Sequence, residues 1–269
     1  MTEHRYLPLS PADRATMLEA VGKPSQEALF ESVPAELRRG VELPDGLAEA
    51  ELVDYFTELA RENQDLTRLD SFLGAGAYRR FIPAAVSQVI SRPEFFTAYT
   101  PYQAEASQGW LQTIFEFQSM IAELTALPVA NASMYEAATA LAEAAVMAVS
   151  HTGRHHVTVA GAVHPEYLAV LRTYGAGRGF DVAAVGSGGP AAAGGSAAAD
   201  GPAPGPGTGR ADLAALEASG LDRTAAVIFQ NPNFLGQLEP AQALCDAAHR
   251  HGALAVVAAD PVSLAVLEA

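Results

Sequence analysis

The chain has 269 residues, 49% of them hydrophobic, and its 16 basic and 31 acidic residues give a formal net charge of −15. This length and apolar content are sufficient for one large domain with a substantial core, plus extra segments. The negative charge repels nucleic acid and anionic membrane surfaces, so we expect neither among the partners.

The opening residues lack the features of an export signal. They contain no basic stretch followed by an apolar one, and no later window has the length and apolar content of a membrane span. The single cysteine, Cys245, allows no disulfide framework, and the closely spaced histidines lack a suitable third ligand for zinc. We therefore expect a cytoplasmic protein without a metal site.

Lysine is almost absent from the chain. Fifteen of the sixteen basic residues are arginine, which leaves Lys23 as the single lysine. Any chemistry that requires a side-chain amine therefore has one candidate in this sequence.

Residues 1–70 are predicted to form a helical arm. Ser10 followed by Pro11 is typical of a helix start, and Gly22 is typical of a helix end. Residues 47–62 repeat apolar side chains at helical spacing, with charges on the other face. Such an arm cannot bury its apolar faces alone, so we expect it to lie against the main domain or a partner subunit.

Residues 71–106 are rich in glycine, proline and aromatic residues and precede a long predicted helix. That helix covers about residues 107–124, where Trp110 and Leu124 belong to an apolar stripe expected to face the core. Residues 99–105 combine aromatic rings, hydroxyls and an amide around a proline. Such a segment either lines a pocket or contains buried tyrosines whose hydroxyls find partners in the interior.

The next predicted helix covers residues 131–149. Ser133 and Glu136 are at the spacing of a capping box, in which two side chains satisfy otherwise unpaired helix amides. The free amides and positive dipole end of such a helix start also suit a phosphate or a carboxylate. From the residues alone, helix capping and anion binding explain Ser133 equally well.

After residue 150, short β-rich runs alternate with predicted helices. This alternation predicts βαβ units and a mostly parallel sheet, and the nearly continuous apolar character of the runs predicts helices on both faces. The strands are predicted at residues 156–160, 181–185, 225–230 and 253–259, and the helices at Pro165, near residues 211–219 and at Pro240.

Residues 186–209 form a low-complexity run with no aromatic or β-branched aliphatic residue, which we interpret as a flexible surface insertion. The chain ends soon after the last predicted strand, where the pattern calls for further strands and helices. We therefore predict a large α/β domain over residues 71–269 whose carboxyl-terminal part is missing.

Three predicted strands lead into residues that could bind a ligand, because ligands bind beyond the carboxyl ends of parallel strands. His164 follows the first strand and either contacts a ligand or begins a helix. Asn231 follows the third strand and belongs either to a pocket or to a turn held by asparagine side chains. Asp260 follows the fourth and either pairs with a cofactor nitrogen or caps a turn.

The chain contains no P-loop, no glycine fingerprint after a strand and no Gly-x-Ser-x-Gly elbow. It resembles instead the amino-terminal subunit of the two-chain glycine cleavage system P-protein, through six motifs in the same order. These motifs are SFLGAGAY (71–78), FFTAYTPYQAEASQGWLQTIFEFQ (95–118), ANASMYEAATALAEAA (130–145), AVHPEY (162–167), QNPNFLG (230–236) and DPVSL (260–264). The pair Glu136-Ala137 departs from the Asp-Gly that we expect in the family.

The resemblance implies a fold-type I architecture dependent on pyridoxal phosphate. In this family glycine loses its carboxylate on the cofactor, and the aminomethyl group passes to the lipoyl arm of the H-protein. The cofactor acts as an electron sink, and a lysine holds it as a Schiff base. In two-chain systems that lysine belongs to the second subunit.

The resemblance therefore implies a subunit of glycine dehydrogenase (aminomethyl-transferring) without its own catalytic lysine. We expect a heterotetramer with two copies of each subunit, pyridoxal phosphate bound mainly by the partner, and lipoylated H-protein and glycine as further partners. The residues expected at the cofactor or in a shared pocket are Tyr99, Thr100, Tyr102, Gln103, Ser133, Tyr135, His164, Asn231 and Asp260.

Two alternatives stay open at this point. One is a self-sufficient pyridoxal-phosphate aminotransferase or decarboxylase whose lysine lies in the missing carboxyl-terminal part. The other is a non-catalytic scaffold that has the same fold.

Overall fold

A computed structural model describes residues 6, 8–38, 40, 43–72, 74, 76, 78–96, 100–186 and 209–268. Tyr99 and most of the predicted insertion, residues 187–208, lie outside this described part. The chain divides into two compact units, Met1–Asp65 and Leu66–Ala269. No helix within the described ranges is long and apolar enough to cross a membrane.

The described residues of the first unit form two α-helices, α1 (Pro11–Ala20) and α2 (Glu49–Arg61), and two short 3-10 helices. The Ser10 hydroxyl accepts a hydrogen bond from the Asp13 amide at 3.2 Å, and the Asp13 carboxylate accepts one from the Ser10 amide at 2.9 Å. This reciprocal cap confirms the predicted start of α1. None of the described residues of this unit is buried.

The second unit begins with four helices before its sheet. They are α3 (Ala84–Ile90), α4 (Pro93–Phe96), α5 (Gln108–Thr125) and α6 (Ala137–Thr152). Helix α5 was expected to bury an apolar stripe, but it has no buried residue and Leu124 is exposed. The prediction is wrong for Leu124 because α5 contributes no side chain to the buried clusters around the sheet.

Helix α6 begins later than predicted, and Ser133 is not its cap. Glu136 is the N-cap residue, and its carboxylate accepts hydrogen bonds from the amides of Ala138 and Thr139. Ser133 lies before the helix with φ of 138°. The predicted capping box is therefore wrong, because the longer carboxylate of Glu136 reaches the free amides by itself.

The sheet has four parallel strands in the order β2-β1-β3-β4, as predicted for βαβ units. β1 and β2 coincide with their predicted ranges, and β3 and β4 agree within one residue. The strands and helices of this region are β1 (His156–Ala160), α7 (Pro165–Arg178), β2 (Asp181–Val185), α8 (Leu213–Ala218), β3 (Thr224–Asn231), α9 (Ala241–Arg250) and β4 (Leu254–Ala259).

Two buried clusters cover the two faces of the sheet, and β3 contributes to both. Ala226 and Ile228 pack with side chains of α6 and α7, whereas Val227 and Phe229 pack with those of α8 and α9. This alternation follows from the two-residue period of a strand. The prediction of strands covered on both faces is confirmed for the central strands β1 and β3. It is wrong for β2 and β4, which are only partly buried because they are the outer strands of the described sheet.

A guanidinium joins the amino-terminal ends of the strands. Arg154 donates to the carbonyl oxygens of Thr224 at 2.9 Å and His251 at 2.8 Å. The buried hydroxyls of Thr158 and Thr224 are 3.0 Å apart across β1 and β3. These hydrogen bonds satisfy buried polar groups and hold the amino-terminal ends of the strands in place. The irregular loops lie at the opposite, carboxyl-terminal ends of the strands.

Candidate functional site

The strand order reverses between β1 and β3, so the carboxyl-terminal ends of these strands border the crevice where parallel α/β folds bind ligands. Two loops meet at this point, one after β1 and one after β3. The Phe234 amide donates to the Ala162 carbonyl at 2.9 Å, and the His164 amide donates to Gln230 Oε1 at 3.0 Å. Both AVHPEY and QNPNFLG therefore contribute to one site.

His164 is held by its own surroundings. Its Nδ1 accepts from the Glu166 amide at 3.2 Å and caps α7, which in the neutral ring leaves the proton on Nε2. The ring stacks on Tyr167 with centroids 4.6 Å apart and meets the edge of Phe234 at 5.0 Å. The structure thus shows the predicted structural role, and it leaves the Nε2 edge as the group able to donate.

The Nε2 edge of His164 faces the glycine-rich segment before α3. A Cβ placed on Gly76 would lie 3.8 Å from Nε2 and 3.5 Å from Cδ2. Burial and the negative charge of Glu136 raise the pKa of the neighbouring Tyr167 hydroxyl. Gly76, the start of α6 and the switch point are therefore close together.

Asn231 ends β3 and leads into a cis bond to Pro232. Its Oδ1 accepts from the Glu239 amide at 3.0 Å, so the asparagine holds the loop that follows it. Asn233 is buried beside the Glu239 side chain, to which it donates at 2.6 Å. The predicted turn pinned by asparagine side chains is therefore present.

Asp260 follows β4 and has both carboxylate oxygens engaged. Oδ1 accepts from the Val262 amide at 3.1 Å, and Oδ2 pairs with the guanidinium of Arg80. Arg80 also lies over the ring of Tyr78, with its guanidinium carbon 5.5 Å from the ring centre. The carboxylate thus caps a turn and binds a cation of this chain.

The remaining predicted residues of the described part are all exposed. Within the described ranges, no hydrogen bond, ion pair or ring contact joins them to His164, Asn231 or Asp260. The rings of Tyr102 and Tyr135 are 84% and 101% exposed. For Tyr102, the alternative of a buried tyrosine with an interior partner is wrong. These exposed residues are Thr100, Tyr102, Gln103, Ser133 and Tyr135.

Several residues near the carboxyl-terminal ends of the strands were not predicted from the sequence. Arg80 carried no local signal, because its partner lies 180 residues away. Glu239 precedes Pro240 in an ordinary helix start, and its burial becomes visible only in the folded chain. Tyr167 belongs to AVHPEY and Phe234 to QNPNFLG, and both lie next to His164 because the loops after β1 and β3 meet.

These residues do not fit pyridoxal phosphate bound as a complete site within the chain. The only lysine, Lys23, is in the first unit, where its Nζ pairs with Glu31 at 2.8 Å. Asp260, the carboxylate that the sequence offers as a partner for the cofactor nitrogen, is already paired with Arg80. No cluster of histidine, cysteine or carboxylate side chains in the described part is suited to a metal ion.

Comparison with known proteins gives matches along nearly the whole chain. The chain is 45% identical over 269 residues to a protein of Brevibacillus brevis named "Probable glycine dehydrogenase (decarboxylating) subunit 1", covering 99% of this chain and 56% of the relative. A protein of the same name from Chloroherpeton thalassium is 44% identical over 268 residues, covering 98% and 56%. The chain thus spans about half the length of the relatives it matches.

A solved structure gives the same result for the fold. The crystal structure of glycine decarboxylase (P-protein) of the glycine cleavage system, in inhibitor-bound form, superimposes with a TM-score of 0.76 at 40% identity. The match covers 98% of this chain and 55% of that one. The sequence model of the family described as "Glycine cleavage system P-protein" matches residues 4–269. The chain belongs to the glycine cleavage system P-protein family.

Proposed function

We propose that this chain is a subunit of glycine dehydrogenase (aminomethyl-transferring) and that it completes an active site whose lysine comes from a partner subunit. One observation carries the proposal: a chain of this family has a single lysine, Lys23, which belongs to the first unit and pairs with Glu31. The relatives named subunit 1 support the division of the enzyme between two chains.

The partner, in this proposal, binds most of the pyridoxal phosphate, and two copies of each subunit form a heterotetramer. The cofactor, when bound, supplies the electron sink for the charge left on glycine after decarboxylation. Lipoylated H-protein receives the aminomethyl group. The predicted cytoplasmic location belongs to the same proposal.

The exposed tyrosines of this chain support a shared pocket. Tyr102 and Tyr135 extend aromatic rings and hydroxyls away from the described core, as residues that complete a site on a partner would do. We include Tyr99, Thr100, Gln103 and Ser133 in this surface on the basis of the family resemblance. Their task is to bind and orient the substrate and to exclude water from the reacting groups.

The second part of the proposed site is the switch point. A proton on His164 Nε2 gives this edge a donor for an acceptor oxygen of a ligand, and Tyr167 and Phe234 pack against the ring and hold it in place. Asn231 holds the loop after β3, and Asp260 holds the turn after β4, through hydrogen bonds to backbone amides.

The test is reductive trapping of the cofactor. The purified chain with pyridoxal phosphate, and the mixture with its lysine-bearing partner, are treated with borohydride and analysed by mass spectrometry. We expect a stable pyridoxyl adduct on the partner and none at Lys23, and we expect the mixture to decarboxylate glycine in the presence of H-protein. A stoichiometric adduct on Lys23 would overturn the proposal.

The two alternatives give different results in the same experiment. A longer version of this chain that formed the adduct by itself would be a self-sufficient enzyme. A scaffold would assemble with the partner, but substitutions of its exposed tyrosines would leave turnover unchanged.

A further inference from the structure

We propose that Glu239 is a positioning residue that holds the loop after β3, and through it His164 and Asn231, in the arrangement of the switch point. Its consequence for turnover rests on the proposed function. Its consequence for the loop follows from the contacts alone. Glu239 is not among the residues that the motifs singled out, and it touches neither the Nε2 edge of His164 nor the exposed tyrosines.

Glu239 is buried and hydrogen-bonded on every side. It is 7% exposed, although glutamate is rarely buried without partners. Oε1 accepts from Asn233 Nδ2 at 2.6 Å, Oε2 accepts from the Ala211 amide at 2.7 Å, and its own amide donates to Asn231 Oδ1 at 3.0 Å. One residue therefore ties together the end of β3, the loop after it and the segment before α8.

Asn233 passes these constraints to the loop backbone. Its Oδ1 accepts from the amides of Leu235 and Gln237, both at 3.0 Å, and its Nδ2 also donates to the Gly209 carbonyl at 2.8 Å. The side chain is 1% exposed and uses both its donors and its acceptor. Such a network has one arrangement in which all groups are satisfied, so loss of one acceptor disturbs the whole loop.

The loop reaches His164 at two points. Phe234 lies between Asn233 and Leu235, and its ring edge contacts the imidazole while its amide binds Ala162. Gln230, at the other end of the loop, accepts from the His164 amide. Glu239 thus acts on His164 through residues 230–234.

The first strand-end loop is fitted to the same carboxylate. Gly161 has φ of 73°, and a Cβ on it would lie 2.6 Å from Glu239 Oε1 and 3.1 Å from the Cβ of Ala211. A side chain cannot be placed there without moving the carboxylate. Gly179 has a similar φ of 77° but no atom within 4 Å of its Cβ position, so it provides a matched comparison.

The test compares Glu239→Gln with Glu217→Gln in the full chain. Glutamine has nearly the same size but replaces one acceptor oxygen with an amino group, which must then face either Asn233 Nδ2 or the Ala211 amide. Glu217 also accepts with both oxygens, but from Arg250 and His251 at the opposite edge of the sheet. Glu217→Gln is therefore the control for loss of a carboxylate.

Hydrogen exchange and histidine NMR report on the loop without any assay of turnover. We expect amides of residues 231–237 to exchange about tenfold faster in Glu239→Gln, as for loss of one buried hydrogen bond, and not in Glu217→Gln. The ring signal of His164, assigned with a His164→Gln variant, should move in Glu239→Gln alone. Gly161→Ala should reproduce both changes, and Gly179→Ala neither.

Turnover then tests positioning in the reconstituted enzyme. We expect Glu239→Gln to lower kcat/KM for glycine about tenfold with unchanged assembly. If the unmodified mixture were inactive, the proposed function would fail, whereas the exchange and NMR results would still decide the role of Glu239. A lower melting temperature with unchanged exchange and an unchanged His164 signal would overturn the positioning role, and so would full activity in an assembled Glu239→Gln enzyme.

Discussion

At the scale of single residues, His251 lies between two carboxylates near the amino-terminal ends of the strands. Its Nδ1 is 2.7 Å from Asp222 Oδ1, and its Nε2 is 3.2 Å from Glu217 Oε2. The hydrogen bond to Asp222, with a smaller contribution from Glu217, raises the pKa of His251. The charged imidazole is therefore favoured in the folded protein.

This arrangement predicts a pH dependence of stability. Because the folded pKa exceeds the unfolded value of about 6.5, the stabilisation is complete below that value and is lost as the pH rises through the folded pKa. His156 contributes the opposite slope, since burial lowers its pKa. We expect the fall in melting temperature between about pH 6 and about pH 8 to be smaller in Asp222→Asn than in the unmodified chain. An equal fall in melting temperature in the two proteins would contradict the proposed contribution of His251.

A second prediction at this scale concerns Tyr102. Its ring is 84% exposed, so its hydroxyl is not needed for the fold. We expect Tyr102→Phe to preserve the melting temperature and assembly with the partner but to impair glycine turnover, as expected also for Tyr99→Phe. Tyr55→Phe, an exposed tyrosine of the first unit, is the control. Full activity in both pocket variants would move this segment out of the site.

At the scale of elements, helix α6 depends on its own carboxylate cap. Hydrogen bonds from Thr139, and a smaller one from Ala138, lower the pKa of Glu136, so the cap is made by the charged form. We expect Glu136→Ala to lower the melting temperature by a few degrees, because two helix amides lose their acceptor. Glu143→Ala, within the same helix, should have a smaller effect. The stabilising effect of Glu136 should also disappear as the pH falls through its lowered pKa.

The strands could be predicted closely, but the helix starts and the polar contacts only in part. β1 and β2 are apolar runs between polar or glycine residues, a local signal that survives folding. The predicted start of α6 was wrong because both Ser133 and Glu136 are residue types that can cap a helix. Backbone geometry, which the sequence does not show, decides that Glu136 is the cap. No local pattern predicts the ion pair of Arg80 with Asp260, because the two residues are distant in sequence. The same holds for the burial of Glu239, which depends on contacts with other segments.

At the scale of the whole molecule, every buried residue of the described chain lies in the second unit. Phe229 is 0% exposed between α8, α9 and the sheet. We expect Phe229→Ala to lower the free energy of unfolding by about 3–5 kcal/mol, as measured by urea denaturation.

Removal of residues 1–65 should leave the main cooperative transition of the second unit nearly unchanged. If the shortened chain lost that transition, the two units would not be independent in stability.

The single lysine has a practical consequence for experiments on the first unit. Lys23 is 38% exposed at its side chain and lies between α1 and the first 3-10 helix. An amine-reactive dye therefore has one ε-amine to modify, in addition to the α-amine at the start of the chain. The unmodified sequence thus provides a defined attachment point for a fluorescent reporter on Met1–Asp65. Once the product labelled at the α-amine is removed, the emission of the reporter would follow the arm during subunit assembly without an engineered cysteine.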